Sequence, residues 1–258
     1  RAVKTPLALE KTTKIIHIDI DPAEIGKNIG ADLPLVGDAK LVLQQMMELA
    51  KPMKHDEWIA HIKTLGGERK YVEPAKGTVN PRVFIDRLAK KMPANVTVVA
   101  DVGQNQIWTC TEYKFRKEGR LLTSGGMGTM GYSVPAAIGA KMADNSRATV
   151  AICGDGAFQM SFMELATAVQ FGVDIKVVVM TNNRLGMVRE LQTNGYHDRQ
   201  TAVFLDGSPD FIKLAEAYGI PAMRVYDDDT MEKGVEMLAE HKGICLVEVV
   251  VDKDMPTL

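Results

Sequence analysis

The sequence has few cysteines, and none is placed to form a structural site. Cys110, Cys153 and Cys245 are the only three in 258 residues; they are far apart, and none belongs to a Cys-x-x-Cys motif. An odd number of scattered cysteines argues against a disulfide framework and against a zinc site. We expect each to be a buried thiol that packs in the core, including Cys153, which directly precedes a glycine-rich motif.

An excess of charge of one sign and long apolar runs are also absent. Lysine and arginine number 31 and the acidic residues 33, for a formal charge of -2, so no basic surface for nucleic acid or an anionic membrane is indicated. No apolar stretch reaches the roughly 20 residues that span a bilayer, and residues 1–4 lack the apolar core of a signal peptide. We expect a cytoplasmic protein with a small-molecule substrate and with neither nucleic acid nor a membrane as partner.

A regular alternation of helices and strands begins at residue 81. The pattern predicts strands at 96–101, 148–153, 175–181, 222–225 and 244–251, and helices at 81–92, 132–142, 162–171, 209–218 and 231–240. The strand Val177-Val178-Val179-Met180 is continuously apolar, which is typical of a strand buried on both faces. The sequence therefore predicts an α/β domain, a doubly wound parallel sheet with helices on both faces.

The N-terminal part of the sequence is too short to form such a domain. Residues 14–20 alternate like a strand, Asp21-Pro22 has the residue types of a helix start, and 41–49 has helical periodicity. One or two βα units would leave a sheet edge open. We predict that residues 1–51 are the C-terminal fragment of a second α/β domain, that the polar, glycine-containing stretch 52–80 is a linker, and that 81–258 is the main domain.

Three turns that follow predicted strands carry residues suited to phosphate and cation binding, and ligands of open parallel sheets bind beyond the carboxyl ends of strands. In Gly154-Asp155-Gly156 the small residues let backbone amides approach a phosphate, but the carboxylate would repel it unless a cation lay between them. Magnesium, which takes oxygen ligands, fits that requirement. Asn182 follows the next strand, and its amide oxygen would complete the cation site. The third turn consists of Val102, Gly103, Gln104 and Asn105.

Each turn taken alone is equally typical of an ordinary strand-to-helix connection. In that interpretation glycine makes the corner, and aspartate or asparagine caps the following helix. For a single turn this is the favoured alternative. Three such turns in one sheet, with the glycine-rich segment 124–131 between them, favour a binding site instead.

Gly154-Asp155-Gly156 followed by Asn182-Asn183 resembles the signature of thiamine-diphosphate enzymes. The segments 103–108, 123–132 and 186–189 are similar to those of acetolactate synthase catalytic subunits, and 16–25 resembles the end of their middle domain. The resemblance covers nearly the whole chain. It implies the thiamine-diphosphate-binding fold for residues 81–258 and a middle-domain fragment for 1–51.

The same resemblance implies a role for residues in every turn. Asp155 and Asn182 would ligate Mg²⁺ through their side chains and Arg184 through its backbone carbonyl, while Met130 would lie beneath the bent cofactor. The alternative for Met130 and Met187 is that they fill gaps in the core, as most of the 15 methionines do. The residues implied to contact thiamine diphosphate are Val102, Gly103, Gln104, Asn105, Gly128, Met130, Gly156, Ala157, Leu185, Gly186, Met187 and Val188.

The activity implied for the complete protein is decarboxylation of pyruvate and condensation with a second 2-keto acid to give 2-acetolactate, a step of branched-chain amino acid biosynthesis. The family's catalytic glutamate lies on a separate N-terminal domain, so no catalytic residue is assigned here, and we expect this fragment alone to be inactive. The resemblance also implies a homodimer or tetramer, a small regulatory subunit, and FAD in the complete subunit.

Two departures from the family pattern keep other interpretations open. Asn105 stands where many members have histidine, and Leu191 where they often have tryptophan; 192–205 is predicted to be a mobile loop with His197 on the surface. Related thiamine enzymes of the pyruvate oxidase, glyoxylate carboligase or sulfoacetaldehyde acetyltransferase type share the magnesium signature. A non-catalytic cofactor-binding or dimerisation module is a further alternative. A Rossmann domain is disfavoured because no strand is followed by G-x-G-x-x-G.

Overall fold

The computed structural model of the protein describes residues 13–65 and 71–257. The chain divides into two units, Arg1–Glu68 and Arg69–Leu258, which are described separately below. Among the described residues, none of the helices combines the length and the apolar character needed to cross a membrane.

The first unit contains two short parallel strands and two helices. β1 (Ile16–Asp19) pairs with β2 (Leu33–Val36), and α1 (Ala39–Leu49) and α2 (Asp56–Leu65) follow. α1 begins where the carboxylate of Asp38 accepts a hydrogen bond from the amide of Leu41 at 3.1 Å. No residue of either helix is buried within this unit.

The prediction that a helix begins at Asp21-Pro22 is wrong. Residues 22–26 form turns instead, with the amide of Glu24 bonded to the Asp21 carbonyl at 3.1 Å. Gly26 has a φ of 72°, and this left-handed conformation ends any helical turn begun at Asp21. α2 lies within the stretch predicted as a linker.

The second unit is built on one parallel sheet of six strands in the order β4-β3-β5-β6-β8-β7. This confirms the predicted doubly wound fold. Its strands are β3 (Thr97–Ala100), β4 (Arg120–Thr123), β5 (Thr149–Gly154), β6 (Lys176–Thr181), β7 (Ala222–Val225) and β8 (Cys245–Val250). Its helices are α3 (Pro81–Lys91), α4 (Gln104–Glu112), α5 (Ser133–Ala143), α6 (Asp155–Phe158), α7 (Leu165–Gln170), α8 (Gly186–Gly195), α9 (Phe211–Ala217) and α10 (Asp228–Glu240), with a 3-10 turn at Phe162–Glu164 before α7.

Each face of the sheet has its own apolar core because alternate strand residues point to opposite faces. Within β6, Val178 and Met180 belong to the core that includes Phe84 of α3, whereas Val177 and Val179 belong to the other. Cys153 and Cys245 are buried, as predicted, and burial raises the pKa of the Cys245 thiol to about 11. The prediction is wrong for Cys110, which α4 presents to solvent.

Residues 71–80, the last part of the predicted linker, are tied to the second unit. Asn80 donates from its side chain to the Val72 carbonyl at 2.8 Å and caps α3 with its side-chain oxygen. Arg82 and Glu112 form a buried ion pair at 2.6 Å, and the hydroxyl of Tyr71 donates to Glu112 at 3.3 Å. The boundaries proposed at residues 51 and 80 stay a prediction.

Candidate functional site

The carboxyl ends of three neighbouring strands bring the predicted turns together. β3, β5 and β6 lie side by side, and each is followed within a few residues by a helix, respectively α4, α6 and α8. The amides at the starts of α4 and α8 therefore lie at one edge of the sheet, where the helix dipoles favour negative charge.

A cavity of about 100 Å³ lies at this edge. All residues predicted to contact the cofactor or the metal line this cavity, with the exception of Gly128. Gly128 has a φ of 66° in the glycine-rich segment. This left-handed backbone conformation favours glycine, whatever its contact with a ligand. The lining residues outside our predicted set are Trp108, Gly154, Met180 and Val251.

Asp155 is the most unusual charged group of the cavity. Its side chain is almost fully buried, at 1% exposure, and no lysine, arginine or histidine of the described chain forms an ion pair with it. Three backbone amides donate to it, those of Gly156 (2.8 Å), Asn182 (3.2 Å) and Asn183 (2.7 Å). Burial raises the pKa of Asp155 to about 6, and these hydrogen bonds oppose that rise.

Asn182 and Gln104 are joined by their side-chain amides. Nδ2 of Asn182 donates to Oε1 of Gln104 at 3.2 Å, while Oδ1 of Asn182 accepts from the amide of Arg184 at 3.1 Å. Asn183, which lies between Asn182 and Arg184 in the sequence, has a φ of 54°. This is a left-handed conformation that asparagine tolerates better than most residues. The turn after β6 is thus held open by its own hydrogen bonds.

Asn105 occupies the floor of the site and connects two strands. Its Nδ2 donates to the carbonyl of Asp101 at 2.8 Å, after β3, and to that of Ile152 at 3.3 Å, in β5. A side chain at Gly103, whose φ is 142°, would lie 2.6 Å from Oδ1 of Asn105. Gly103 is therefore required both for its backbone conformation and for space.

Two further glycines allow the lining groups to approach one another. A β-carbon at Gly156 would lie 2.8 Å from Leu185 and 3.1 Å from Leu205. At Gly186 it would lie 1.9 Å from Oε1 of Gln104. The distances of 2.8 Å and 1.9 Å are shorter than a carbon contact allows, so only glycine fits the present packing at either position.

Asp101 is a buried group of the site that sequence reasoning missed. Its carboxylate accepts from the amides of Val102 (2.9 Å), Gly131 (3.1 Å) and Ser133 (2.8 Å). It thereby fixes the end of the glycine-rich segment and the start of α5 to the end of β3. Its position immediately before the Val102 turn was the available signal, but we took it only as the last residue of a strand.

The segment after α8 also closes against the site. Residues 192–195 of the predicted mobile loop belong to α8, and the remainder returns to pair Phe204 with Arg184 in an antiparallel bridge. The guanidinium of Arg184 lies 4.7 Å from the centre of the Phe204 ring and is paired with Asp206. His197 is exposed.

The donor set fits a hard cation bound together with a phosphate. Asp155 has three of about four acceptor positions occupied by amides, and Asn182 adds an amide oxygen. No group of three His, Cys, Asp or Glu residues that would enclose a metal occurs in the described ranges. A magnesium ion here would consequently need further oxygen ligands from backbone and from a bound phosphate, as is common for this ion.

Comparison with known proteins gives two family matches. The family described as "Thiamine pyrophosphate enzyme, C-terminal TPP binding domain" matches residues 101–249, and the family described as "Thiamine pyrophosphate enzyme, central domain" matches residues 2–46. The first match contains Asp155, Asn182 and all of the predicted cofactor residues.

Three relatives illustrate the similarity. An acetolactate synthase large subunit of Lactococcus lactis is 36% identical over 98% of this chain and 44% of the relative. A probable acetolactate synthase large subunit of Methanocaldococcus jannaschii is 38% identical over 93% and 42%. An acetolactate synthase of Mycobacterium leprae is 40% identical over 93% and 40%. The chain thus spans less than half the length of these relatives.

Proposed function

The chain belongs to the thiamine pyrophosphate enzyme family, and on this basis we propose that it supplies the diphosphate- and magnesium-binding side of the active site of an acetolactate synthase catalytic subunit. The observation that carries the proposal is the buried carboxylate of Asp155, which forms no ion pair with the side chains that the structure describes and lines a cavity together with glycines and helix starts. A bound dication would remove the unfavourable burial of that charge.

In this proposal the chain's own residues bind and orient the cofactor. Asp155 and Asn182 hold magnesium through side-chain oxygens and Arg184 through its carbonyl, while Gly156 and Ala157, which carry little or no side chain, let the diphosphate approach the backbone. Met130 fills the space next to Gly156, because a β-carbon added at Gly156 would lie 3.4 Å from Cε of Met130. Thiamine diphosphate, when bound, supplies the carbon nucleophile for reactions of 2-keto acids.

For the complete protein we propose condensation of two 2-keto acids, with pyruvate as the donor, to give 2-acetolactate. Support comes from relatives named acetolactate synthase at 36–40% identity. FAD binding, a dimer or tetramer, and a small regulatory partner belong to the same proposal, the last because relatives are named large subunits. Detection of acetolactate from pyruvate in the complete protein would separate this activity from the pyruvate oxidase, glyoxylate carboligase and sulfoacetaldehyde acetyltransferase types.

The direct test is calorimetric titration of thiamine diphosphate into the chain with and without Mg²⁺. We expect binding that requires magnesium and that is lost in Asp155→Ala. Asp144→Ala is the control, because this aspartate is only half-buried, lies after α5 and does not line the cavity. Binding that is equal with and without magnesium, or equal in Asp155→Ala and Asp144→Ala, would contradict the proposed cation site.

A further inference from the structure

A directional chain of hydrogen bonds leaves the cavity through Gln104 and ends on a carboxylate of α8. Nδ2 of Asn182 donates to Oε1 of Gln104 at 3.2 Å, and Nε2 of Gln104 donates to Oγ1 of Thr257 at 3.1 Å. The Thr257 hydroxyl donates in turn to Oε2 of Glu190, and the Thr257 amide donates to Oε1 of Glu190 at 3.1 Å. Gln104 and Thr257 are both buried, at 4% and 5% exposure.

The acceptor at the end of this chain fixes the direction of every bond before it. An ionised carboxylate only accepts, so Thr257 must use its single hydroxyl proton on Glu190 and must itself accept from Gln104. Gln104 then has its NH₂ group toward Thr257 and its oxygen toward Asn182. Asn182 must therefore donate to Gln104 from its own NH₂ group. This leaves Oδ1 of Asn182, and not Nδ2, on the side of the turn that carries Arg184.

Nε2 of Gln104 also lies 3.5 Å from Oε2 of Glu190 itself, and contacts with residues 255 and 256 support the same arrangement. The carbonyl of Met255 accepts a second bond from Nε2 of Gln104 at 3.0 Å, and the carbonyl of Pro256 accepts from the indole of Trp108 at 3.2 Å, one turn further along α4. The oxygen of Gln104 reaches Asn182 only because position 186 has no side chain, since a β-carbon there would lie 1.9 Å from that oxygen.

We propose that Glu190 is a positioning residue: acting through Thr257 and Gln104, and together with the Met255 carbonyl, it holds the amide of Asn182 so that an oxygen rather than an NH₂ group is offered to the cation. This deepens the proposed function and rests on it. The inference assigns to Glu190 and to residues 255–257 a part in magnesium binding although none of them lines the cavity.

The test compares the apparent Mg²⁺ affinity of four forms of the full chain, measured by calorimetry at a saturating concentration of thiamine diphosphate. Thr257→Val removes the hydroxyl and breaks the relay, and we expect a loss of about tenfold in Mg²⁺ affinity. Thr257→Ser keeps the hydroxyl and is expected to restore the parent affinity. Thr111→Val is the matched control: its hydroxyl bonds to the Ile107 carbonyl within α4, away from the relay.

A second variant tests the direction of the relay rather than its presence. Glu190→Gln is nearly isosteric, but its amide can donate, so the Thr257 hydroxyl is no longer forced to point toward residue 190. We expect weaker Mg²⁺ binding in Glu190→Gln, accompanied by a changed side-chain NH₂ resonance of Gln104 in ¹⁵N spectra recorded without cofactor. Neither change is expected in Thr111→Val.

Each outcome has a defined meaning. Equal Mg²⁺ affinity in the parent, Thr257→Val and Glu190→Gln overturns the inference alone and leaves the proposed function standing. The inference is also overturned if Thr111→Val loses as much affinity as Thr257→Val, or if Thr257→Ser does not restore it, because either result assigns the loss to packing. A parent chain that binds no thiamine diphosphate at any Mg²⁺ concentration overturns the proposed function and the inference together.

Discussion

The pKa of Asp155 offers a quantitative test of the site that does not require catalysis. Burial raises it from 3.8 to about 6, a difference that corresponds to about 3 kcal/mol. The test varies the pH between 4 and 8, once for the metal-free chain and once in the presence of Mg²⁺ and thiamine diphosphate. Because the side chain is only 1% exposed, solvent screening removes little of this energy.

The direction in which stability changes with pH follows from which state, folded or unfolded, binds the Asp155 proton more tightly. The folded chain holds the Asp155 proton at pH values where the unfolded chain has released it, so unfolding releases a proton between about pH 4 and 6. The contribution to stability is fully present below pH 4 and is lost as the pH rises through about 6. Above that pH the metal-free chain is consequently about 3 kcal/mol less stable than it would be with an ordinary aspartate at this position.

A bound dication reverses this penalty because it stabilises the carboxylate form. We expect Mg²⁺ and thiamine diphosphate to bind roughly tenfold more weakly at pH 5 than at pH 8, since about one tenth of Asp155 is ionised at pH 5. Binding below pH 6 should release a proton, which calorimetry in buffers of different ionisation enthalpy detects.

The assay is a carbon-13 titration of the chain labelled at aspartate Cγ, with Asp155 identified by its loss in Asp155→Asn. We expect a midpoint near 6 without metal and a clearly lower one with Mg²⁺ and thiamine diphosphate. Asp227 provides the internal control, because hydrogen bonds from Thr230 lower its pKa below the usual range. A metal-free midpoint for Asp155 below about 4.5 would refute the claim that burial governs this carboxylate.

Three further predictions concern packing and exposure. Glu112→Ala leaves the buried guanidinium of Arg82 without its partner and should lower the free energy of unfolding in urea by about 3 kcal/mol; a loss below about 1 kcal/mol would mean that the pair behaves as a surface pair. Gly156→Ala places a β-carbon 2.8 Å from Leu185 and should abolish thiamine diphosphate binding and lower stability by about 1–3 kcal/mol, whereas Gly195→Ala, where the added carbon meets nothing within 4 Å, should bind normally. In the native chain a maleimide should label only Cys110, with Cys153 and Cys245 reacting after unfolding; early labelling of Cys153 would contradict its burial.

The sheet could be predicted from sequence because its strands follow one physical rule. Val177 to Met180 is apolar throughout, and a strand covered on both faces needs no alternation. The helices that begin at the site could not be predicted from an apolar pattern in the same way. α4 buries four polar residues, Gln104, Asn105, Thr109 and Glu112, beside the apolar Trp108, so its inner face is largely polar and gives little apolar periodicity to detect. β4 and α8 were missed for related reasons: β4 is only four residues long, and α8 has glycine at both ends.

The site residues could be predicted because turn chemistry and family resemblance carry information on positions that show no hydrophobic periodicity, and all but Gly128 line one cavity. The resemblance implies that Gln104 and Asn182 are neighbours of one cofactor, but it gives no indication of Thr257, which bonds to Gln104 from 153 positions away. A contact of that span leaves no local signal in a single sequence. The same holds for Leu205, which reaches Gly156 only because the chain folds back along the Arg184 turn.

Asn105 shows how a departure from the family pattern can be read once the contacts are known. Its side-chain NH₂ group donates to two backbone carbonyls, those of Asp101 and Ile152, whereas a ring nitrogen of histidine carries at most one hydrogen and cannot donate two bonds. Asparagine here therefore joins β3 to β5 in a way that does not change with pH. The site is left with Asp155 as the cavity-lining carboxylate whose charge responds to pH near neutrality, which is why its titration is the measurement that tests the magnesium site most directly.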